Sequence, residues 1–292
     1  MPEFDPAYGR AVPVAPGVVR VTAPNPGPFT GAGTNSYIIG DARPMVLDPG
    51  PDDPAHHRAL LAAIAGRPVS HILISHTHRD HVDGLPALAA ALDAPTVGEG
   101  PHREARPLCE GETNPFLYAA DLKFRPDIVV GDGDTVGNGE VALTAFATPG
   151  HTANHLAFGF GDLCFSGDHV MGWSTTVIAP PDGAMRPYLA SLDRLLAVKH
   201  TRYFPGHGQA IEDPHAAVTA MRGHRLMRER AIRERVAEGD RTVAAIVDRL
   251  YVGLDPRLKG AAGLSVLAHL EKLAEDGAVA AQGFGTSALW TI

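Results

Sequence analysis

The stretch Ser75–His81, SHTHRDH, sets four cation-binding groups, His76, His78, Asp80 and His81, within six positions. Imidazoles and carboxylates in a packed interior each need a hydrogen bond or a counter-charge. A fold that crowds them together therefore needs a partner for the whole group. The stretch follows the strand-like run VSHILIS and precedes a helix that begins near Asp83 and Gly84. A strand end holds its loop rigidly, so alternate side chains converge on one point while their neighbours turn toward a second. His76 and His78 are expected on one ion, and Asp80 and His81 on another. One loop would then supply half of a two-metal site.

Hydrolytic ions need about three protein ligands each and an open position for water, so the remaining ligands must come from later strand ends. TPGHT places His151 after one apolar run, FSGDH places Asp168 after a second, and FPGHG places His207 after a third. His155 and His169 lie close to these positions and are candidates for supporting or substrate contacts. His56, His57, His71, His102, His200, His215, His224 and His269 lack such a setting and are read as structural.

NSYIIG, PMVLDPG, VSHILISH, VALTAFATPG, NHLAFGFGDLCFSGD and TRYFPGHG read as strands that end in loops, with a hairpin turn at Asp162. DDPAHHRALLAAIAG, DGLPALAAALDA and PYLASLDRLLAVK read as helices, several opening on Asp or Pro. Strands and helices interleave, which places the chain in the α/β or α+β class. The character changes after Gly208. A long Arg- and Glu-rich helix runs from Pro214 to about Gly239, followed by TVAAIVDRLY, by LSVLAHLEKLAEDG with leucines at 264, 267, 270 and 273, and by two short strand candidates, AVAAQG and ALWTI. Three helices and a terminal hairpin are similar to a winged helix. The expected division is a catalytic domain over 1–213 and a helical, winged-helix-like unit over 214–292.

A chain of 292 residues with net charge −8 gives no global attraction to nucleic acid or anionic membrane. The N-terminal MPEFDPAYGRAVPVAPG has acids and prolines where a secretory leader has a basic start and an apolar run. No stretch of about eighteen apolar residues is present to span a bilayer. Two cysteines, Cys109 and Cys164, suffice for neither a disulfide framework nor a thiolate-rich zinc site. A cytoplasmic location is the expectation.

HTHRDH, PGHT, SGD and PGHG, in that order and preceded by GTNSYIIG and MVLDPG, resemble the metallo-β-lactamase superfamily. The resemblance implies an αββα sandwich with its metals in a cleft along one edge. It implies His76, His78 and His151 on a first ion, Asp80, His81 and His207 on a second, and Asp168 bridging the two. The expected cofactor is two Zn2+ per chain, with Mn2+ or Fe accepted by the same donors. Two ions about 3.5–4 Å apart share a bridging water, lower its pKa toward neutrality and polarise the substrate oxygen. Asp80 is expected to act twice, as a ligand and as the group that orients the hydroxide. Asp48, in LDPG, is read either as the residue that orients a ligand histidine or as a strand-ending turn residue.

Asp168 stands where some family β-lactamases place a cysteine, and the interval to His207 is too short for the inserted domain of the β-CASP nucleases. The long helix, the winged-helix-like tail and STTVI after SGDHVMGW resemble the lactamase-beta-2-like group, which implies an endoribonuclease acting on single-stranded RNA. Arg222, Arg225, Arg228, Arg230, Arg233 and Arg235 offer phosphates a basic stretch. Glu229 and Glu234 are spaced to pair with Arg225, Arg230 and Arg233 and to make that face self-neutralising. The competing enzyme is a glyoxalase II-like hydrolase of thioesters or esters. The non-enzymatic reading is a metal-binding regulatory or interaction protein. Partners under these readings are a small ester or thioester, or single-stranded RNA. Duplex DNA and membrane are excluded by Glu271, Glu275 and Asp276 and by the acidic balance, and a homodimer is left open.

Overall fold

The computed structural model describes residues 4–292. The first three residues of the N-terminal stretch read for a leader lie outside them. Seven strands form one mixed sheet in sequential order: β1 (Val12–Ala15), β2 (Val18–Thr22), β3 (Asn35–Ile39), β4 (Met45–Leu47), β5 (His71–Leu73), β6 (Thr96–Gly98) and β7 (Ile128–Val129). Five strands form a second sheet, β8 (Thr135–Gly137), β9 (Ala142–Ala147), β10 (Leu156–Phe160), β11 (Leu163–Gly167) and β12 (Arg202–Pro205), with β12 beside β11 in parallel. Helices α1 (Pro54–Ile64), α2 (Arg79–Val82) and α3 (Leu85–Leu92) follow strands of the first sheet, and α4 (Met185–Ala197) precedes β12 of the second.

Strand alternation divides the apolar residues between two cores. Tyr37, Ile39, Met45 and Leu47 point between the sheets, where they meet Leu143, Phe158, Phe165 and Phe204. Ile38 and Val46 point the other way, onto Leu60 and Ile64 of α1 and Leu88 of α3. Behind the second sheet, Cys164 and Tyr203 pack on Tyr188, Leu192 and Leu195 of α4. The result is the four-layer αββα sandwich expected from the sequence. The hairpin of β1 and β2 and the short strands β6, β7 and β8 were not among the sequence-predicted elements. β1 carries Pro13, β6 and β8 are three-residue segments ending in Gly, and β7 has two residues, too few to show a period.

After β12 the chain enters α5 (Pro214–Ala237), capped by Asp213, whose side chain accepts from the Ala216 amide at 3.0 Å. Val218 of α5 belongs to the core behind the second sheet, whereas Ile232 and Val236 belong to the C-terminal core. That core is completed by α6 (Val243–Leu250), α7 (Lys259–Glu275) and the hairpin of β13 (Ala280–Gln282) and β14 (Leu289–Thr291). Leu264, Leu267, Leu270 and Leu273 all face into it. Among the described residues no helix is long and apolar enough to cross a membrane.

Candidate metal centre

The ligand candidates arrive from five places along one edge of the sandwich. His76 and His78 leave the end of β5, Asp80 and His81 lie on α2, His151 follows β9, Asp168 follows β11, and His207 follows β12. His78 Nδ1 lies 3.0 Å from His76 Nε2 and 2.9 Å from His151 Nε2. His207 Nε2 lies 3.3 Å from His81 Nε2 and 3.3 Å from Asp80 Oδ2. Asp168 stands between the two triads, with Oδ2 3.2 Å from His207 Nε2 and 3.7 Å from His151 Nε2, and Oδ1 3.4 Å from His81 Nε2. All seven residues named from the sequence are thus brought together, in an arrangement compatible with the two groups of three and the carboxylate between them that the family resemblance implies.

The outer nitrogens explain why the rings converge. His81 Nδ1 donates to Asp48 Oδ2 at 2.9 Å, His151 Nδ1 to the Val177 carbonyl at 2.7 Å and His207 Nδ1 to the Gly33 carbonyl at 3.1 Å. The Ser75 hydroxyl donates to Asp48 Oδ2 at 2.7 Å, which leaves its oxygen to accept from His76 Nδ1 at 3.0 Å. Carboxylate and carbonyl oxygens only accept, so these four histidines carry a proton on Nδ1 and aim Nε2 inward. Asp48 therefore orients His81, and it does so from a left-handed backbone at φ 51° that aspartate tolerates. The close quarters also require Gly206, where a Cβ would lie 2.4 Å from Asp168 Oδ1.

This donor set fits cations. Burial, with the neighbouring imidazoles, holds His76 well below its ordinary pKa, and burial with His151 pushes His78 down to about 3. Burial works against a charge on His81 and His207 too. There the carboxylates of Asp80 and Asp168 prevail, raising His81 well above its usual value and His207 to about 10. Asp168 is held well below the carboxylate range against its own burial by His207 and His81, and its Oδ1 is buried with no hydrogen-bond partner. The centre thus demands positive charge where inward-facing lone pairs already converge, which is what divalent cations supply.

Sequence reasoning missed Thr34 and the walls of the cavity, whereas it marks His155 and His169 as candidates for supporting or substrate contacts. Thr34, in GTNSYIIG, donates to Asp80 Oδ2 at 3.4 Å. His155 accepts from the Asp168 amide at 3.1 Å and is fixed by Thr148 at 2.8 Å, so it supports the bridge and is not itself in a ligand triad. His169 is buried against the Tyr188 ring and has no hydrogen-bond partner on either ring nitrogen. The cavity over the centre, about 220 Å3, is walled by Phe29, Phe116, Tyr118 and Met171 and holds the carboxylates of Asp80, Asp168 and Asp182. Phe116 packs edge-on to Phe29 at 6.2 Å and stacks on Tyr118 at 5.9 Å. Phe116 and Tyr118 come from the irregular segment between β6 and β7, which has no periodicity to reveal it. Asp182 is buried, accepts from Asn114 and from His102 at 3.3 Å, and leaves Oδ2 without a partner.

The arginine-rich helix departs from the self-paired face expected of it. Glu229 pairs with Lys272 at 2.9 Å and His269 at 3.5 Å, both on α7. Arg222 pairs with Asp193 and Arg235 with Asp240. Arg225 and Arg228 turn inward, the first onto the Thr176 carbonyl and Ser265, the second onto the Tyr251 ring. Helical spacing offered the glutamate an arginine, and packing of α7 against α5 offered it Lys272 instead.

Comparison with known proteins agrees with this geometry. Residues 29–207 match the family described as the metallo-beta-lactamase superfamily, and residues 242–290 match the beta-lactamase associated winged helix domain. The beta-lactamase-like protein 2 homolog of Caenorhabditis elegans is 31% identical over 92% of this chain and 88% of its own length. An atrochrysone carboxyl ACP thioesterase of Cryptosporiopsis sp. is 25% identical over 91% of this chain and 82% of its own. The crystal structure of a beta-lactamase domain protein from Burkholderia ambifaria superposes with a TM-score of 0.80 at 21% identity, covering 99% of this chain and 96% of that one.

Proposed function

The chain belongs to the metallo-beta-lactamase superfamily, in the lactamase-beta-2-like group with its winged helix, and we propose that it is a metal-dependent hydrolase of apolar acyl esters or thioesters. The ligands would be His76, His78 and His151 for one divalent cation and Asp80, His81 and His207 for another, with Asp168 shared. Zinc is the first candidate, with manganese or iron as alternatives. When bound, such cations acidify water and polarise a carbonyl oxygen.

The chain's own residues do the rest. Asp80, partly exposed to the cavity and held by Thr34, accepts a hydrogen bond from the attacking water and aims its lone pair. His155 keeps Asp168 in place, and Asp48 keeps His81 and Ser75 in place. Phe29, Phe116 and Tyr118 hold the acyl group by apolar contact and exclude water from the reacting carbonyl.

The observation that carries the reading is the lining of the cavity: aromatic and aliphatic walls, three aspartates, and neither Lys nor Arg. A polynucleotide's phosphates would find the bound cations but no Lys or Arg in the lining to track the rest of the chain. Duplex DNA is disfavoured further by α7, which is buried from Ala262 to Leu270 and whose Glu271, Glu275 and Asp276 pair with Arg106 and Arg186. The relative named as an acyl-carrier thioesterase supports the same reading. Purified protein should be assayed side by side on an aromatic acyl thioester, single-stranded RNA and a β-lactam, with elemental analysis of the same sample. We expect thioester hydrolysis to exceed the other two, to vanish in chelator and to return with added divalent metal. RNA cleavage with the thioester untouched would overturn the reading.

A further inference from the structure

A second cleft, of about 350 Å3, opens beside the catalytic cavity between α5, α7 and the 173–177 segment. It shares Phe29 and Val177 with that cavity. Val177 is the residue whose carbonyl holds His151, so one thin wall separates the two spaces. Their linings differ in kind. The catalytic cavity has three aspartates and three histidines and neither Lys nor Arg, whereas this cleft has Arg225 and Arg228 with no acid.

Arg225 is 3% exposed, and its hydrogen-bond partners among the described residues are neutral oxygens, with no carboxylate within ion-pair distance. Its guanidinium donates to the Thr176 carbonyl and, at 3.3 Å, to the Ser265 hydroxyl, and passes the Tyr188 ring with its carbon 5.3 Å from the centroid. Its Nε is buried with no partner at all. A buried cation compensated only by neutral oxygens and a ring face is costly, and an anion in the cleft removes that cost. Arg228, one helical turn on, lies 4.3 Å over the Tyr251 ring and donates to the Leu250 carbonyl at 3.3 Å, again without a carboxylate. Two guanidiniums on one helix face, each with donors to spare, suit the several acceptor oxygens of a phosphate better than a single carboxylate.

We propose that this cleft binds a phosphate carried on the thiol arm of an acyl thioester whose acyl group occupies the catalytic cavity. The inference rests on the acyl-hydrolase reading and adds the leaving-group side of the substrate. Water oxygen bonds to the acyl carbon, the carbon–sulfur bond breaks, and the sulfur leaves with the electron pair and takes up a proton. The products are the free acid and a phosphorylated thiol still seated on Arg225 and Arg228.

The test uses the full-length, metal-loaded protein and two thioesters with the same aromatic acyl group, one on phosphopantetheine and one on pantetheine, which differ by the phosphate alone. A glutathione thioester serves as the carboxylate arm. We expect kcat/KM to favour the phosphorylated arm over both others by roughly tenfold, the scale of one charge-assisted hydrogen bond. That ratio should fall severalfold in Arg225→Gln and in Arg228→Gln, the latter serving where the buried substitution impairs folding. Equal kcat/KM on the pair, or a ratio unmoved in both variants, overturns the proposal. If no thioester is turned over, the acyl-hydrolase reading fails on its own, and titration with inorganic phosphate decides the cleft. Binding that is weakened in Arg228→Gln supports an anion site, and absence of binding overturns it. Cleavage of single-stranded RNA that weakens in the same two variants would give the cleft to a nucleotide chain and overturn the assignment to a thiol arm.

Discussion

The sandwich and the C-terminal helical unit bury charge in opposite ways. At the edge of the sandwich, carboxylates and imidazoles converge without enough positive charge, and the deficit shows as protons held tightly on His81 and His207. In the helical unit, guanidiniums are drawn in without enough negative charge, and Arg225 makes do with a carbonyl, a hydroxyl and a ring. Both arrangements are costly in an isolated protein, and each is relieved by something from outside: cations in one case, an anion in the other. The contrast teaches that the two halves favour opposite charges from whatever occupies them.

The largest effect expected is at the shared carboxylate. Asp168→Ala removes the carboxylate that stands between the two triads, so metal content should fall below two per chain and hydrolysis should drop by at least on the order of a thousandfold. The circular dichroism spectrum should stay native, because the C-terminal core of Leu264, Leu267 and Leu270 has no part in the centre. Full metal occupancy in this variant would break the comparison, since the edge of the sandwich would then not be short of positive charge.

A smaller effect separates the halves from the other side. Leu267 is 2% exposed in the C-terminal core, and Leu267→Ala should cost about 2–4 kcal/mol of stability through lost burial and the cavity left behind. Metal content should be untouched. Chemical denaturation followed by tryptophan fluorescence reads it, because Trp290 lies in that core and Trp173 lines the basic cleft. Loss of metal together with stability would show one cooperative unit where two are described here.

The same division governs what the sequence could reveal. The seven ligand candidates were legible because each directly follows a strand or opens the short helix after one, so local spacing fixes where the side chain points. Asp48 was legible for the same reason, although its partner His81 lies 33 positions away. Thr34 and Ser75 act through contacts that no spacing encodes, whereas His155 is marked by its nearness to His151. Phe116 and Tyr118 sit in a long irregular segment and reach the cavity only because tertiary contacts fold it back. On α5, i, i+4 spacing pointed Glu229 toward Arg225 and Arg233, but α7 places Lys272 and His269 against Glu229 instead. Helix faces are assigned by neighbours that sequence spacing does not see, which is why the basic cleft went unread while the acidic centre did not.

The smallest effect concerns the tie between the halves. Arg106, in the segment that carries the aromatic wall, reaches Glu112 at 2.7 Å and Glu271 of α7 at 2.6 Å, with side chains 26%, 7% and 20% exposed. Its hydrogen bond to Glu112 holds that carboxyl below the usual range, whereas burial outweighs the same arginine at Glu271 and raises it. Arg106→Gln should cost about 1–2 kcal/mol, the scale of a partly screened, hydrogen-bonded ion pair. It should raise KM for an aromatic acyl substrate more than it lowers kcat, because the wall is loosened while the metal ligands are not. The sign of the pH dependence follows from Glu112: a depressed carboxylate stabilises the fold above its unfolded pKa of about 4.3 and loses that contribution as pH falls through the lower folded value. The stability gap between wild type and Arg106→Gln should therefore be full at neutral pH and close on acidification. A gap that persists unchanged at pH 3 would mean that the arginine acts through its packing and not through charge, and that the wall is fastened to α7 by shape alone.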